Sequence, residues 1–182
     1  MIDINTLYIT NYCHPNCSPL QNIMRLPKEE AFHKAWEFAE ANKDTTAFYR
    51  FADFENYYPR RLATDRMLYE RFVKLGGKPV EKHPLSFVLG ESEYLKEWFG
   101  NGTVTRLSLA NIPAEAISFV YGDSMSTLAR TGDFEMVTKD ILAERLAAYK
   151  GSISEFMKEI NETCHYIEVQ LWDDGLLFLT ER

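Results

Sequence analysis

The sequence predicts an α+β fold: an antiparallel or mixed sheet of five to six strands, packed on one side by about five helices, with a C-terminal β-hairpin. Three observations carry this. Phe32, Trp36 and Ala39, and later Leu68, Phe72 and Leu75, recur at helical spacing. Leu85, Phe87 and Leu89, and later Ile167, Val169 and Leu171, alternate at the period of a strand. Asp173-Asp174-Gly175 separates the last of these runs from Leu176-Leu177-Phe178-Leu179. An Asp-Gly pair between such runs favours a hairpin turn, because glycine accepts positive φ.

The elements follow in order. Residues 1–26 are turn-rich, and Cys13-His14-Pro15-Asn16-Cys17-Ser18-Pro19 is too rigid and polar for a helix, so this segment is expected to lie on the surface as a loop. Pro27 suits a first helical turn, and Glu29 and Glu30 suit its positive dipole end, which predicts a helix to about Asn42. A second helix is expected from Thr64-Asp65 to Gly76-Gly77, a C-terminal stop. Leu85–Leu89 follows as a strand. Ser92 then caps a short helix over Leu95, Trp98 and Phe99, which ends at Gly100-Asn101-Gly102. Thr103–Leu109 and Ile117–Tyr121 read as strands separated by a Pro113 turn, and Phe134–Val137 as another. Thr138 caps a helix over Ile141, Leu142, Leu146 and Tyr149. Ser152 or Ser154 opens a last helix through Phe156, Met157 and Ile160.

Composition bounds the function classes. Across 182 residues there is no internal repeat and no Ser/Gly linker, so 1–182 reads as a single globular domain. The net charge of -7 disfavours duplex DNA as a partner, since that affinity is largely counterion release by Lys and Arg. No apolar run reaches the roughly 18 residues of a membrane span, so no membrane partner is expected. Met1-Ile2-Asp3-Ile4-Asn5-Thr6 lacks the basic and apolar regions of a secretory signal, and three cysteines suit reduced thiols, so a cytoplasmic location is expected. No motif implies a cofactor.

The stretch from Phe48 to Arg61 concentrates aromatics and arginines between two helices. Arginine forks bind carboxylate or phosphate, while tyrosine stacks on planar groups and donates a hydrogen bond. Tyr49, Arg50, Asp53, Tyr57, Arg60 and Arg61 are therefore candidates to bind a small anionic or nucleotide-like ligand. The competing reading is that the aromatics pack the helix crossing and the arginines pair with Asp53, Glu55 and Asp65. His83, before Pro84 at the head of a strand, is a candidate general base or a quiet hydrogen-bonding partner. Cys13, His14, Cys17, Cys164 and His165 could supply soft metal ligands, but the spacing is only half that of a structural zinc site and no metal is assigned.

Gly122-Asp123-Ser124 after a strand resembles the nucleophile block of the Gly-Asp-Ser-Leu esterases, which makes Asp123 and Ser124 candidate catalytic residues; Asp123 can equally be a helix cap. Leu7–Thr10, Leu20–Ile23 and Glu168 on a late strand loosely resemble small ADP-ribosyltransferase domains. That resemblance implies a catalytic role for Glu168, although Ile9 stands where the family's early His or Arg lies. Taken together, Phe51-Ala52-Asp53-Phe54, Tyr57-Tyr58-Pro59-Arg60-Arg61, His83-Pro84-Leu85 and Gly122-Asp123-Ser124-Met125 resemble a family of small intracellular bacterial proteins with no assigned activity. The leading expectation is a small-molecule-binding domain or an enzyme. The alternative is a noncatalytic interaction module or homodimer that uses the aromatics and arginines as hot spots.

Overall fold

Ile167 to Leu171 is a strand buried along its whole length, and the fold is arranged around it. The computed structural model describes residues 1–179. The strands β1 (Tyr8–Cys13), β2 (Leu85–Leu89), β3 (Thr103–Ser108), β4 (Ile117–Tyr121), β5 (Met136–Thr138) and β6 (Ile167–Leu171) form one six-stranded sheet. Its order is β3-β1-β2-β6-β4-β5, and every neighbouring pair is antiparallel. At its centre Phe87, Val169 and Phe119 stand opposite one another across three strands; one step along are Val88, Glu168 and Val120.

Among the described residues there are seven α-helices: α1 (Lys28–Ala41), α2 (Tyr49–Ala52), α3 (Phe54–Lys74), α4 (Glu93–Trp98), α5 (Ser124–Thr131), α6 (Lys139–Ala148) and α7 (Ile153–Cys164). The expected caps are in place. Ser92, Thr138 and Ser152 accept hydrogen bonds from the backbone N–H groups of Leu95, Ile141 and Glu155, and Ser152 with Glu155 completes a capping box.

Helices cover both faces of the sheet, which corrects the expectation of one. On the first face Phe87, Phe119, Val169 and Leu171 pack with Leu142 and Leu146 of α6 and Phe156 and Ile160 of α7. On the second face Val120, Met136 and Trp172 pack with Leu68 and Phe72 of α3. The physical reason lies in β4 and β6, whose residues are buried or nearly so on both sides. Each fully buried Phe or Leu here contributes roughly 2–3 kcal/mol.

Three local expectations are corrected as well. The turn-rich segment 1–26 contains β1, because Tyr8, Ile9, Thr10 and Tyr12 are aromatic or β-branched and suit an extended chain; a 3-10 turn at Ile4–Thr6 precedes it and turns resume at His14. Helix α3 starts at Phe54, ten residues before the expected Thr64, and runs through Pro59. That proline removes the bond to the Glu55 carbonyl, and Glu55 is exposed, so water can take its place. Beyond β6, Leu176–Leu179 does not pair as the second strand of a hairpin. Asp174–Leu179 winds a 3-10 turn, and the antiparallel partners of β6 are β2 and β4.

No helix among the described residues is long and apolar enough to cross a membrane.

Candidate functional site

Two helical segments separated by a break at Asp53 carry the aromatic and arginine residues. Asp53 leaves the helical conformation at φ -116 and ψ 47, so α2 and α3 meet at an angle instead of running on. Phe51, Phe54, Tyr57 and Tyr58 use the inner side of this bend to pack on Ala31 and Ala35 of α1. Phe51, Phe54 and Tyr58 therefore do pack the crossing, while Tyr57 belongs to this cluster and also lines the polar side beyond it.

There Tyr49, Arg50, Asp53, Tyr57, Arg60, Met125 and Ser126 line an open cleft of about 100 Å³. Arg50 is fixed before any ligand arrives. Its Nε donates to the Tyr49 hydroxyl at 2.9 Å, its guanidinium lies 5.5 and 5.8 Å from the ring centroids of Tyr49 and Tyr57, and its Nη2 is 4.0 Å from Asp123 Oδ2. Burial works against the Arg50 cation, but the Tyr49 hydroxyl and the Asp123 carboxylate outweigh it and raise its pKa further. Arg60 is exposed and makes no ion pair among the described residues.

The far wall is the start of α5. Asp123 caps this helix by accepting the Ser126 N–H at 2.7 Å, and it also accepts the Tyr166 hydroxyl at 3.4 Å. Burial would raise the Asp123 pKa, but the Ser126 N–H with Arg50 and Arg61 more than compensates and holds it below the usual carboxylate value. Burial also raises the Tyr166 pKa, with the charges of Asp123 and Glu168 adding to the effect.

Behind the cleft lies a buried polar layer between α3 and the sheet. Adjacent residues on a helix point about 100° apart, so Arg60 faces out while Arg61 faces in, at 8% exposure. Arg61 Nε is 2.7 Å from Asp65 Oδ1, and Asp65 Oδ2 is 2.7 Å from His83 Nδ1. Asp65 has no exposed surface. Ser124 is equally buried; its N–H donates to Glu168 Oε2 at 2.5 Å and its hydroxyl to Oε1 at 3.1 Å. Burial, with the nearby Asp123 charge adding, pushes the Glu168 pKa up against the pull of Arg61 and Ser124.

The ten sequence candidates therefore separate. Tyr49, Arg50, Asp53, Tyr57 and Arg60 line the cleft, and Asp123 stands at its edge through Arg50 and Ser126. Arg61 and His83 both meet Asp65 in the buried layer, which corrects the grouping of Arg61 with Arg60 as a ligand contact and leaves His83 a hydrogen-bonding partner of Asp65. Ser124 and Glu168 occupy each other, and the hydroxyl of Ser124 meets a carboxylate where an esterase nucleophile would meet an imidazole. Glu168 and Gln170 are buried beneath α3 and do not face solvent. Of the soft-ligand candidates, His14 packs on Phe48 while His165 packs on Tyr94, and burial raises the Cys17 thiol to about 11. Met125, Ser126 and Tyr166 were not singled out from the sequence. Ser126 had a signal in Asp123-x-x-Ser126, the spacing of a cap to the third helical residue.

The opposite shifts of Glu168 and Asp123 give a testable pH dependence. A carboxyl whose folded pKa is raised keeps its proton in the native state after the unfolded chain has lost it, so stability falls as pH rises above its ordinary value of 4.5. Asp123, shifted down from 3.8, does the reverse and adds stability as pH rises toward that value. Urea midpoints of Glu168→Gln, compared with wild type between about pH 4.5 and 8, are expected to lack the decline that Glu168 imposes. An equal decline in both proteins would remove Glu168 as its cause.

Comparison with protein-family models, with curated proteins and with solved structures yields no match for this chain.

Proposed function

We propose that the chain is a small-molecule-binding domain whose cleft takes the anionic head group of a ligand. The observation that supports this most is Arg50, held by Tyr49, Tyr57 and Asp123, beside the exposed Arg60, which makes no ion pair among the described residues. A preoriented fork loses little rotamer freedom on binding, and two arginines can share the oxygens of one phosphate or carboxylate. The cleft, at about 100 Å³, matches a head group and is well below the roughly 300 Å³ or more of sites that enclose whole drug-sized ligands. Binding is favoured over catalysis because Ser124 and Glu168 are engaged with each other behind the cleft wall. In a chain of net charge -7, with Asp53 in the same cleft, the two arginine forks suit a small anionic group better than a polyanion.

A thermal-shift panel of small phosphate esters and carboxylates tests this. At about 100 times its dissociation constant a ligand adds about 2.7 kcal/mol, worth roughly 5–10 °C for a chain of this size. Arg60→Ala is expected to leave the unliganded melting temperature near wild type and to weaken binding about tenfold or more, the usual worth of a lost charged hydrogen bond. A flat response across the panel, or a shift that Arg60→Ala and Arg50→Ala both leave intact, rejects the reading and favours the noncatalytic interaction module or homodimer.

A further inference from the structure

The cleft holds little more than a head group, and the surface beside it is aromatic. Tyr49, one of the cleft residues, meets the Trp98 indole edge-on with 6.0 Å between ring centroids. Trp98 stacks on Tyr94 at 6.2 Å with 29° between planes, and Tyr94 stacks on His165 at 5.8 Å and 24°. These rings come from three separated parts of the chain: α2, α4 and the residue that follows α7. Tyr49 and Tyr94 are each 52% exposed. The ladder stands on fixed backbone. Ser92 is buried, caps α4 through the Leu95 N–H, and donates its own N–H to the Tyr12 hydroxyl at 2.9 Å. His165 holds φ 69 and ψ -43, a strained γ-turn closed by the Tyr166 N–H on the Cys164 carbonyl at 2.9 Å.

We propose that this aromatic ladder is a second subsite, which stacks the planar ring of the ligand whose anionic group enters the cleft, and that the ligand class is a nucleotide. The proposal rests on the anion-binding reading of the cleft and narrows it. Tyr49 belongs to both surfaces: its hydroxyl accepts from Arg50, and its ring abuts Trp98. A phosphate on Arg50 and Arg60 lies next to Tyr49, whose ring leads to Trp98 and, through it, to Tyr94. The exposed halves of Tyr49 and Tyr94 offer aromatic surface to a purine or pyrimidine, because every base has a π-face to stack. The pairing of arginine forks with aromatic faces matches a molecule that is anionic at one end and planar at the other.

Calorimetric titration of the full chain with AMP and with ribose 5-phosphate separates the two parts of the site. Both are expected to bind, AMP about tenfold or more tighter. Tyr94→Ala, at an exposed ring, is expected to bring AMP down to the affinity of ribose 5-phosphate and to leave ribose 5-phosphate unchanged. AMP is also expected to quench the emission that wild type shows in excess of Trp98→Phe. Equal affinities for the two compounds, both insensitive to Tyr94→Ala, overturn the stacking subsite while the anion cleft stands. No binding of either compound overturns both.

Discussion

Asp65→Ala is expected to lower the stability of the fold by about 3–5 kcal/mol, the usual consequence of leaving one member of a buried ion pair without its partner. Asp65 is fully buried and stands between two groups, Arg61 at 2.7 Å on one oxygen and His83 at 2.7 Å on the other. Removing it strands a guanidinium that is itself only 8% exposed. Replacing both charges, as in Arg61→Leu with Asp65→Leu, is expected to recover much of the loss, because apolar side chains of similar volume need no partner. Urea denaturation measures both variants. A cost below about 1 kcal/mol for the single substitution would mean that the pair does not hold α3 against the sheet.

Trp172→Ala carries an expected cost of similar size, about 3–5 kcal/mol for removing a large buried aromatic. Trp172 has no exposed surface and stacks on Phe72 at 5.5 Å with 14° between planes. Its Nε1 donates to Ser118 Oγ at 2.9 Å, and that hydroxyl donates onward to Gln170 at 2.8 Å. The loss therefore has two parts, a cavity under α3 and a buried hydroxyl left short of a donor. Trp172→Phe keeps most of the ring and lacks the N–H, so it is expected to lose only about 1 kcal/mol more than its reduced volume explains. Were Trp172→Ala to melt within a degree or two of wild type, α3 would be held by something other than this contact.

The sequence was most legible where one physical signal acted alone. Ser92 and Thr138 marked helix starts because a cap is a local hydrogen bond, and of the two serines offered for the last helix Ser152 is the cap. Ile167–Leu171 was legible by its alternation, although what its polar side faces was not. Glu168 and Gln170 are polar residues in an alternating strand and yet are buried, since the helix that covers them is about a hundred residues distant in the chain. Pro59 concealed the first half of α3: local preference argues against a proline there, and packing of Phe54, Tyr57 and Tyr58 on α1 overrides it. The site was half legible for the same reason. Residue types between Tyr49 and Arg61 announced the cleft, but only the helical turn decides that Arg60 faces out and Arg61 faces in. Tyr94, Trp98 and His165 gave no joint signal, because their meeting depends on where α4 and the end of α7 come to rest.

The strand order has a consequence for how the chain folds. β6 lies between β2 and β4, although about 80 residues separate it from the first and about 45 from the second. Until Ile167–Leu171 has been synthesised, the inner edges of β2 and β4 have no partner, and the sheet exists at most as two separate pieces. β1 waits in the same way, since both of its neighbours come later in the chain. Pairings between such distant segments must meet their loop-closure cost before burial repays it, which slows folding. A nascent chain therefore carries open strand edges through most of its synthesis, which are the surfaces most prone to pairing with another molecule.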